Sequence, residues 1–400
     1  MAAGLGKRSK INGVFHDDLL GEVLQRAPPE SVARCKAVCK RWRNLISTPF
    51  FFGRFCGHHH QLLISGEEEC VATRCSTKGQ LFIFHPRFER QFSLDFLPFD
   101  EAAKRKKFVM GFCEGLFLCE PDDGIADEMF YHIANPITKN WVGLPASPKV
   151  RSDFEIAVGF AYYPGLSGPR FKIVQILSPI HTDPVSDFEV DIFCSWTGNW
   201  ARGTVTFPEP IMWTYFMLMQ AAVFYKGYLH WMDGGMRTIL YDVENDAIAC
   251  VLNRPEGAAV VTEELFCFGT CGGRFYASEL HQATLRIWEL KHLQGQRPEW
   301  SIQRQVHIPI IPATRSLPLL AIHPWDMNVV YIGYGKRAIS CNLRTYTLKP
   351  ICRIVRYRLT PLRLPHIAFD MTYSIMFPPW PTSIPNTENV TSSSKKRELI

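Results

Sequence analysis

Between residues 17 and 46 the apolar residues recur in three- and four-residue steps, and beyond Phe55 they alternate. No single type of secondary structure accommodates both. Helical side chains at i and i+4 share a face, whereas strand side chains change face at every residue. The change of period predicts a mainly β chain with a small all-α module at its N-terminal end.

The helical stretch begins "DDLLGEVLQRAPPE", where Leu19, Leu20, Val23, Leu24 and Ala27 fall at i, i+1, i+4, i+5 and i+8. Asp17 is placed to cap the first turn. Pro28-Pro29 stops this helix, and Pro29 suits the first turn of the next, where Glu30 favours the helix dipole. Val32, Cys35, Val38, Cys39, Trp42, Leu45 and Ile46 continue the pattern until Pro49. The spacing predicts two or three short helices. A domain below about 40 residues usually needs a metal, a disulfide or a partner. Covering one exposed Leu or Val contributes roughly 1.5–3 kcal/mol, so a few such side chains would hold a partner firmly.

Beyond Phe55, short runs such as "QLLIS", "QLFIFH", "FKIVQIL", "FEVDIFCSW", "GYLHWM", "TILYDV", "LRIWEL" and "VVYIGY" are separated by Gly, Pro, Asn and Asp turns. These are strand and turn signals, and long amphipathic helices are almost missing. Units repeat: "CEGLFLCE" leads to "FYHIANPITKNWVGLP", "YKGYLHWM" to "TILYDVENDAIACVL", and "CGGRFYAS" to "LRIWELKHLQGQRPEWSIQ". Gly115 and Gly159 lie 44 residues apart and Gly227 and Gly273 lie 46 apart, the blade length of kelch- and WD-type propellers. The expected architecture is a kelch-like β-propeller of about six blades over residues 56–377. Residues 1–10 read as a flexible tail, 11–55 as the helical module and 378–400 as a Pro/Ser/Thr-rich disordered tail, in which Asn389-Val390-Thr391 is an inert sequon.

Several function classes are disfavoured. The formal charge of +6 over 400 residues is small and scattered, which argues against a nucleic-acid partner. No apolar run reaches the roughly 18 residues of a membrane helix, and the leading residues lack the apolar core of a secretion signal, so the expected compartment is cytoplasm or nucleus. The thirteen cysteines are irregularly spaced without paired C-x2-C knuckles, which predicts reduced core thiols around the strand-starting turns of Cys113, Cys119, Cys267 and Cys271. His58 to His60 read as a solvated linker. Asp122, Asp123, Asp127 and Glu128 read as a turn at a blade edge. No nucleophile elbow, phosphate loop or zinc-protease helix is present, so no catalytic residue, metal or cofactor is expected. Trp141, Trp196, Trp200, Trp213, Trp231, Trp288, Trp300 and Trp325 are expected to pack mostly between blades, with a few left for recognition.

The stretch "DDLLGEVLQRAPPESVARCKAVCKRWRNLISTPFF" resembles the plant F-box, in which D-x-L-L-x-E-[VI]-L-x-R precedes a P-x-x-S-[LV]-x-R-x-[KR]-x-V-C-K-x-W-R-x-L-I-S-x-P-x-F pattern. "GFCEGLFLCE" and "NPITKNWVGLP" are similar to motifs of the kelch-like F-box-associated domain of plant proteins. The resemblance implies a three-helix F-box docking on a Skp-type adaptor, which links it to a cullin scaffold, while the β domain captures an unknown protein substrate for ubiquitination. It implies an adaptor-facing set of Phe15, Leu19, Leu20, Val23, Leu24, Pro28, Val32 and Val38, with Trp42 and Leu45 bracing the helices. Two positions depart from the family pattern: Phe15-His16 stand where Leu-Pro is usual, and Ala27 replaces a larger apolar residue. Three rival readings are a carbohydrate-binding propeller module, a propeller hydrolase or oxidase with converging His or carboxylate groups, and an F-box relic acting outside the ligase.

Overall fold

The computed structural model describes residues 16–27, 29–46, 51, 71–75, 80–84, 96–97, 107–121, 130–136, 138–148, 154–165, 168–179, 184–211, 222–259, 266–291, 297–312, 317–323, 326–334, 337–353 and 372–374. The tails at 1–10 and 378–400, the His58–His60 run, the acidic stretch from Asp122 to Glu128, Trp213 and Trp325 lie outside these residues.

The helical module comprises α1 (Asp17–Gln25), α2 (Pro29–Cys35) and α3 (Lys40–Ile46). The sequence makes Asp17 the cap of α1, but the cap is His16, at φ −62° and ψ 153°, without a side-chain cap bond. Asp17 is instead the first helical residue, and with Asp18 it sets negative charge in the first turn, where the helix dipole favours it. The φ of His16 is one that a proline ring would also adopt, so its backbone angle is compatible with the family proline. Pro29 opens α2, where an absent N–H costs nothing.

Among the described residues the β domain contains five four-stranded antiparallel blades. Two strands precede them, β1 (Val71–Cys75) and β2 (Gln80–Phe84). The first blade has β3 (Lys107–Cys113), β4 (Leu116–Pro121), β5 (His132–Asn135) and β6 (Asn140–Gly143). The second has β7 (Phe154–Gly165), β8 (Gly168–Pro179), β9 (Val185–Cys194) and β10 (Asn199–Ile211). The third has β11 (Val223–Tyr225), β12 (Tyr228–Met232), β13 (Thr238–Asp242) and β14 (Ala247–Leu252). The fourth has β15 (Phe266–Cys271), β16 (Arg274–His281), β17 (Thr284–Lys291) and β18 (Glu299–His307). The fifth has β19 (Leu319–Ile322), β20 (Val329–Tyr334), β21 (Arg337–Asn342) and β22 (Leu348–Arg353). A further sheet has three strands in the order β2-β1-β23, with β23 spanning Thr372–Ser374. Five complete blades are thus described where the repeats predict about six.

The sequence repeats are the turns of these blades. Glu114-Gly115, Lys226-Gly227 and Gly272-Gly273 all have positive φ and join the first two strands of their blades. Two successive positive φ values make the type I′ hairpin turn, whose twist matches that of the strands. The turn before the fourth strand also recurs. Asn135, Asp242 and Asn342 each accept backbone N–H bonds two or three residues ahead. Four residues after each of them, Lys139, Asp246 and Tyr346 take positive φ, as Gly198 does in the second blade.

Gly159 is different. The spacing assigns it to the same series as Gly115, yet it lies inside β7, and a Cβ there would come within 2.6 Å of Leu229 and Trp231. It is a packing glycine, and the 44-residue interval is coincidental. The apolar layers lie between blades. Leu229, Trp231, Ile239 and Tyr241 face Val174, Ile176 and Val190 across the seam of the second and third blades. Trp231 and Trp288 are fully buried, as expected for most of the tryptophans, whereas Trp141 and Trp196 are exposed.

Candidate partner interface

Within the helical module, Leu20, Leu24, Val32, Ile46 and Phe51 form a small core. Ala27, Cys35, Trp42 and Leu45 pack against it half-buried. Arg41 Nε donates to Asp17 Oδ1 at 2.8 Å, tying the start of α3 to the start of α1. Arg43 Nε donates to the Lys36 carbonyl at 3.2 Å and holds the turn between α2 and α3. These polar contacts are exposed and each stabilises little, but together they fix the angle between helices.

The ten candidate residues divide. Leu20, Leu24 and Val32 are 5%, 3% and 0% exposed, so their side chains fill the core of the module. Trp42 and Leu45 brace it from the flank. Leu19, Val23 and Val38 are 57%, 59% and 60% exposed. Leu19 and Val23 are one turn apart on a single face of α1, and Val38 stands in the turn after α2, its N–H donating to the Cys35 carbonyl at 3.1 Å. Phe15 and Pro28 lie outside the described residues. The apolar pairs at i, i+1 and i+4, i+5 in α1 are consistent with either one facing inward. The packing of Leu20 and Leu24 on Val32 and Ile46 selects which, and this leaves Leu19 and Val23 to solvent.

Among the described residues of the β domain, the exposed large apolar side chains are Trp141, Trp196, Ile302, Ile310, Tyr334 and Leu348. Trp196 projects from the turn between β9 and β10, with the Arg170 guanidinium 5.8 Å and the Lys172 ammonium 5.5 Å from its ring. Sequence reasoning missed Lys172, since a lysine in a strand gives no sign of burial. Its Nζ donates to the Val243 carbonyl at 2.6 Å and to Asp246 Oδ1 at 2.7 Å, joining the second blade to the third. Asp191, fully buried, takes a bidentate pair from Arg202 at 2.8 Å. Glu279, likewise buried, accepts from Arg286 and from the Ala259 N–H. These carboxylates are spent on strand-to-strand and loop-to-strand bonds.

None of the described thiols is in a disulfide, and burial pushes Cys267 up to about 11 and Cys271 up to about 12, away from nucleophilic character. Among the described residues no group of three His, Cys, Asp or Glu is arranged to hold a metal ion, and no helix is long and apolar enough to cross a membrane.

A small helical unit with exposed Leu19, Val23 and Val38 is thus carried on the same chain as a bladed β domain. Residues 86–353 match the family described as F-box protein At3g26010-like, beta-propeller, and residues 15–53 match the F-box domain. The chain belongs to this family of F-box β-propeller proteins. It is 30% identical over 320 residues to the F-box protein At5g49610 of Arabidopsis thaliana, covering 74% of this chain and 80% of that protein. It is 23% identical over 361 residues to the Arabidopsis F-box/kelch-repeat protein At1g15680, covering 86% and 85% of the two chains. The Arabidopsis F-box protein At5g07610 is 24% identical over 348 residues, 76% of each chain.

Proposed function

We propose that this chain is the substrate-recognition subunit of an SCF-type E3 ubiquitin ligase complex. In this reading the F-box docks on a Skp-type adaptor and through it on a cullin scaffold, and the β domain holds a target protein. The observation that carries it is the exposure of Leu19, Val23 and Val38 on an otherwise folded F-box. Each exposed apolar side chain carries a solvation penalty that covering by a partner removes.

The mechanism is proximity. Held beside a charged conjugating enzyme, the target's lysine meets it at a high effective concentration, and this chain supplies no catalytic group itself. The three-stranded sheet β2-β1-β23 is the sixth blade, closing the ring by pairing Val71 with Ser374 from opposite ends of the β domain. The working compartment is cytoplasm or nucleus, which imaging of the fluorescently tagged chain tests.

The decisive experiment is a pull-down with purified adaptor. Wild type binds, Leu19→Asp and Val23→Asp lose at least about tenfold in affinity, equivalent to 1.4 kcal/mol or more, and Asn44→Asp, on exposed α3, binds as wild type does. Failure of the wild type to bind, or equal binding by all variants, overturns the reading.

A further inference from the structure

The second blade outgrows the third at one end. In the third blade Tyr225 pairs with Tyr228, Tyr228 with Asp242 and Asp242 with Ala247, so its first turn and the turn before its fourth strand stand level. In the second blade Ala161, Lys172, Cys194 and Asn199 mark that level across the four strands, and beyond it Tyr162–Gly165 go on pairing with Gly168–Phe171. These further pairs carry a two-stranded ribbon about 13 Å past the turn that holds Trp196. Its base is braced on both sides. Tyr162 and Phe171 pack with Cys113 and Leu116 of the first blade, and Tyr163 meets Phe224 of the third with ring centroids 5.3 Å apart.

The edges of the ribbon do not invite another strand. Val158 turns its carbonyl outward to the Ala222 N–H, and on the other edge Phe171 exchanges bonds with the N–H and Oγ of Ser195. Counted on in twos, Pro164 and Pro169 fall where the backbone faces outward. Neither has an N–H, so the ribbon loses no internal bond while each edge lacks a donor there. Contacts with a partner at this point are left to side chains.

Those side chains gather where the ribbon, the Trp196 turn and the third-blade turn Val243–Asp246 meet. Trp196 is 48% exposed. The Lys172 ammonium lies 5.5 Å from its ring and bonds Asp246 Oδ1 at 2.7 Å, which puts the indole and the third-blade turn on one continuous surface. Exposed Arg170 stands 5.8 Å from the same ring. Burial, then the carboxylates of Asp246, Asp242 and Glu244, hold the Tyr163 phenol above its ordinary range, so all three acids lie near the ribbon. Lys172 neutralises Asp246, whereas among the described residues no ion pair reaches Asp242 or exposed Glu244. An open indole thus borders a turn with negative charge in excess.

We infer that this corner captures the target, seating an apolar side chain of a short target segment on Trp196 and an arginine or lysine of that segment against Glu244 and Asp242. This rests on the reading of the β domain as the part that holds a target. Tryptophan and tyrosine on a braced support are the usual anchors of such contacts, and the flanking charge selects among segments.

Selection of a displayed library of random short peptides on the immobilised full chain, followed by fluorescence anisotropy of a selected peptide, tests this. Selected peptides pair an arginine or lysine with an apolar residue. Trp196→Ala and Glu244→Lys each weaken binding by at least about tenfold, and Thr204→Ala, on exposed β10, leaves it within about twofold. Glu244→Lys binds the peptide whose basic residue is replaced by glutamate better than wild type does. Trp196→Ala could loosen the Lys172 pair, but Glu244 is a surface side chain and its charge reversal decides in that event. Recovery of no peptide, of acidic peptides only, or of peptides indifferent to both variants overturns the inference. Adaptor binding separates the two readings: a chain that binds the peptide but not the adaptor sinks the ligase reading alone, and one that binds the adaptor while no peptide is recovered sinks this surface alone.

Discussion

The helical module and the propeller solve opposite problems with the same residues. Apolar side chains in the module outnumber the places its small core offers, so Leu19, Val23 and Val38 stay in water. In the propeller the blades pack on one another, and nearly every described apolar side chain at the seams between them is covered. Exposure is therefore common in one region, and in the other it is an exception that asks for a cause. The difference is one of geometry: a single small layer has an outside, whereas a blade stacked between others has little.

Glycine gives the sharpest contrast. Gly159→Val places a side chain against Leu229 and Trp231 where even a Cβ is at 2.6 Å, and is expected to cost about 3 kcal/mol through overpacking. Urea unfolding read by far-ultraviolet circular dichroism measures it. A variant with an unchanged midpoint would show that the seam between blades is slack and the contrast false.

His132 sharpens the comparison through pH. Burial holds its imidazole down to about 4 against an ordinary 6.5, so the folded propeller favours the neutral ring. That contribution is complete above pH 6.5 and is lost as pH falls from 6.5 towards 4, by roughly 1–3 kcal/mol. Denaturant midpoints of wild type and His132→Phe at pH 7 and pH 5 test it: the wild type should lose more stability than the variant. Equal losses would mean that the ring is as wet as a residue of the helical module.

Smaller in effect is Lys172→Ala, expected to cost about 1–2 kcal/mol by stranding the Val243 carbonyl and half-shielded Asp246. Restoring stability by the paired change Asp246→Asn in the Lys172→Ala background checks that the cost lies in the stranded charge. The smallest change is expected in the module. Gly21 sits within α1, a Cβ there meets only Gln25 Nε2 at 3.8 Å, and Gly21→Ala should stabilise the helices by roughly 0.5–1 kcal/mol. Thermal melting of the helical signal measures this gain, and a loss would show that the module packs as tightly as the blades do.

Local chemistry was legible in the sequence because its causes are local. The helical period of residues 17–46, Pro29 opening α2, and the Glu114-Gly115, Lys226-Gly227 and Gly272-Gly273 turns each follow from a few neighbouring residues. The F-box resemblance was legible for the same reason, as a dense linear pattern. Other features needed the folded chain. Leu19 and Leu20 are chemically alike, and only the positions of Val32 and Ile46 turn one outward and the other in. Gly159 matched a turn by spacing, and only Trp231 of the next blade reveals it as a packing site. Lys172 reads as a surface lysine until Val243 and Asp246 surround it. Val71 and Ser374 pair across almost the whole β domain, an association no window of sequence contains. The sequence by itself determined periods and turns, because those energies act within a few residues. Which side chains stay exposed and which face another blade was decided by tertiary structure, because burial depends on residues remote along the chain that fold alongside.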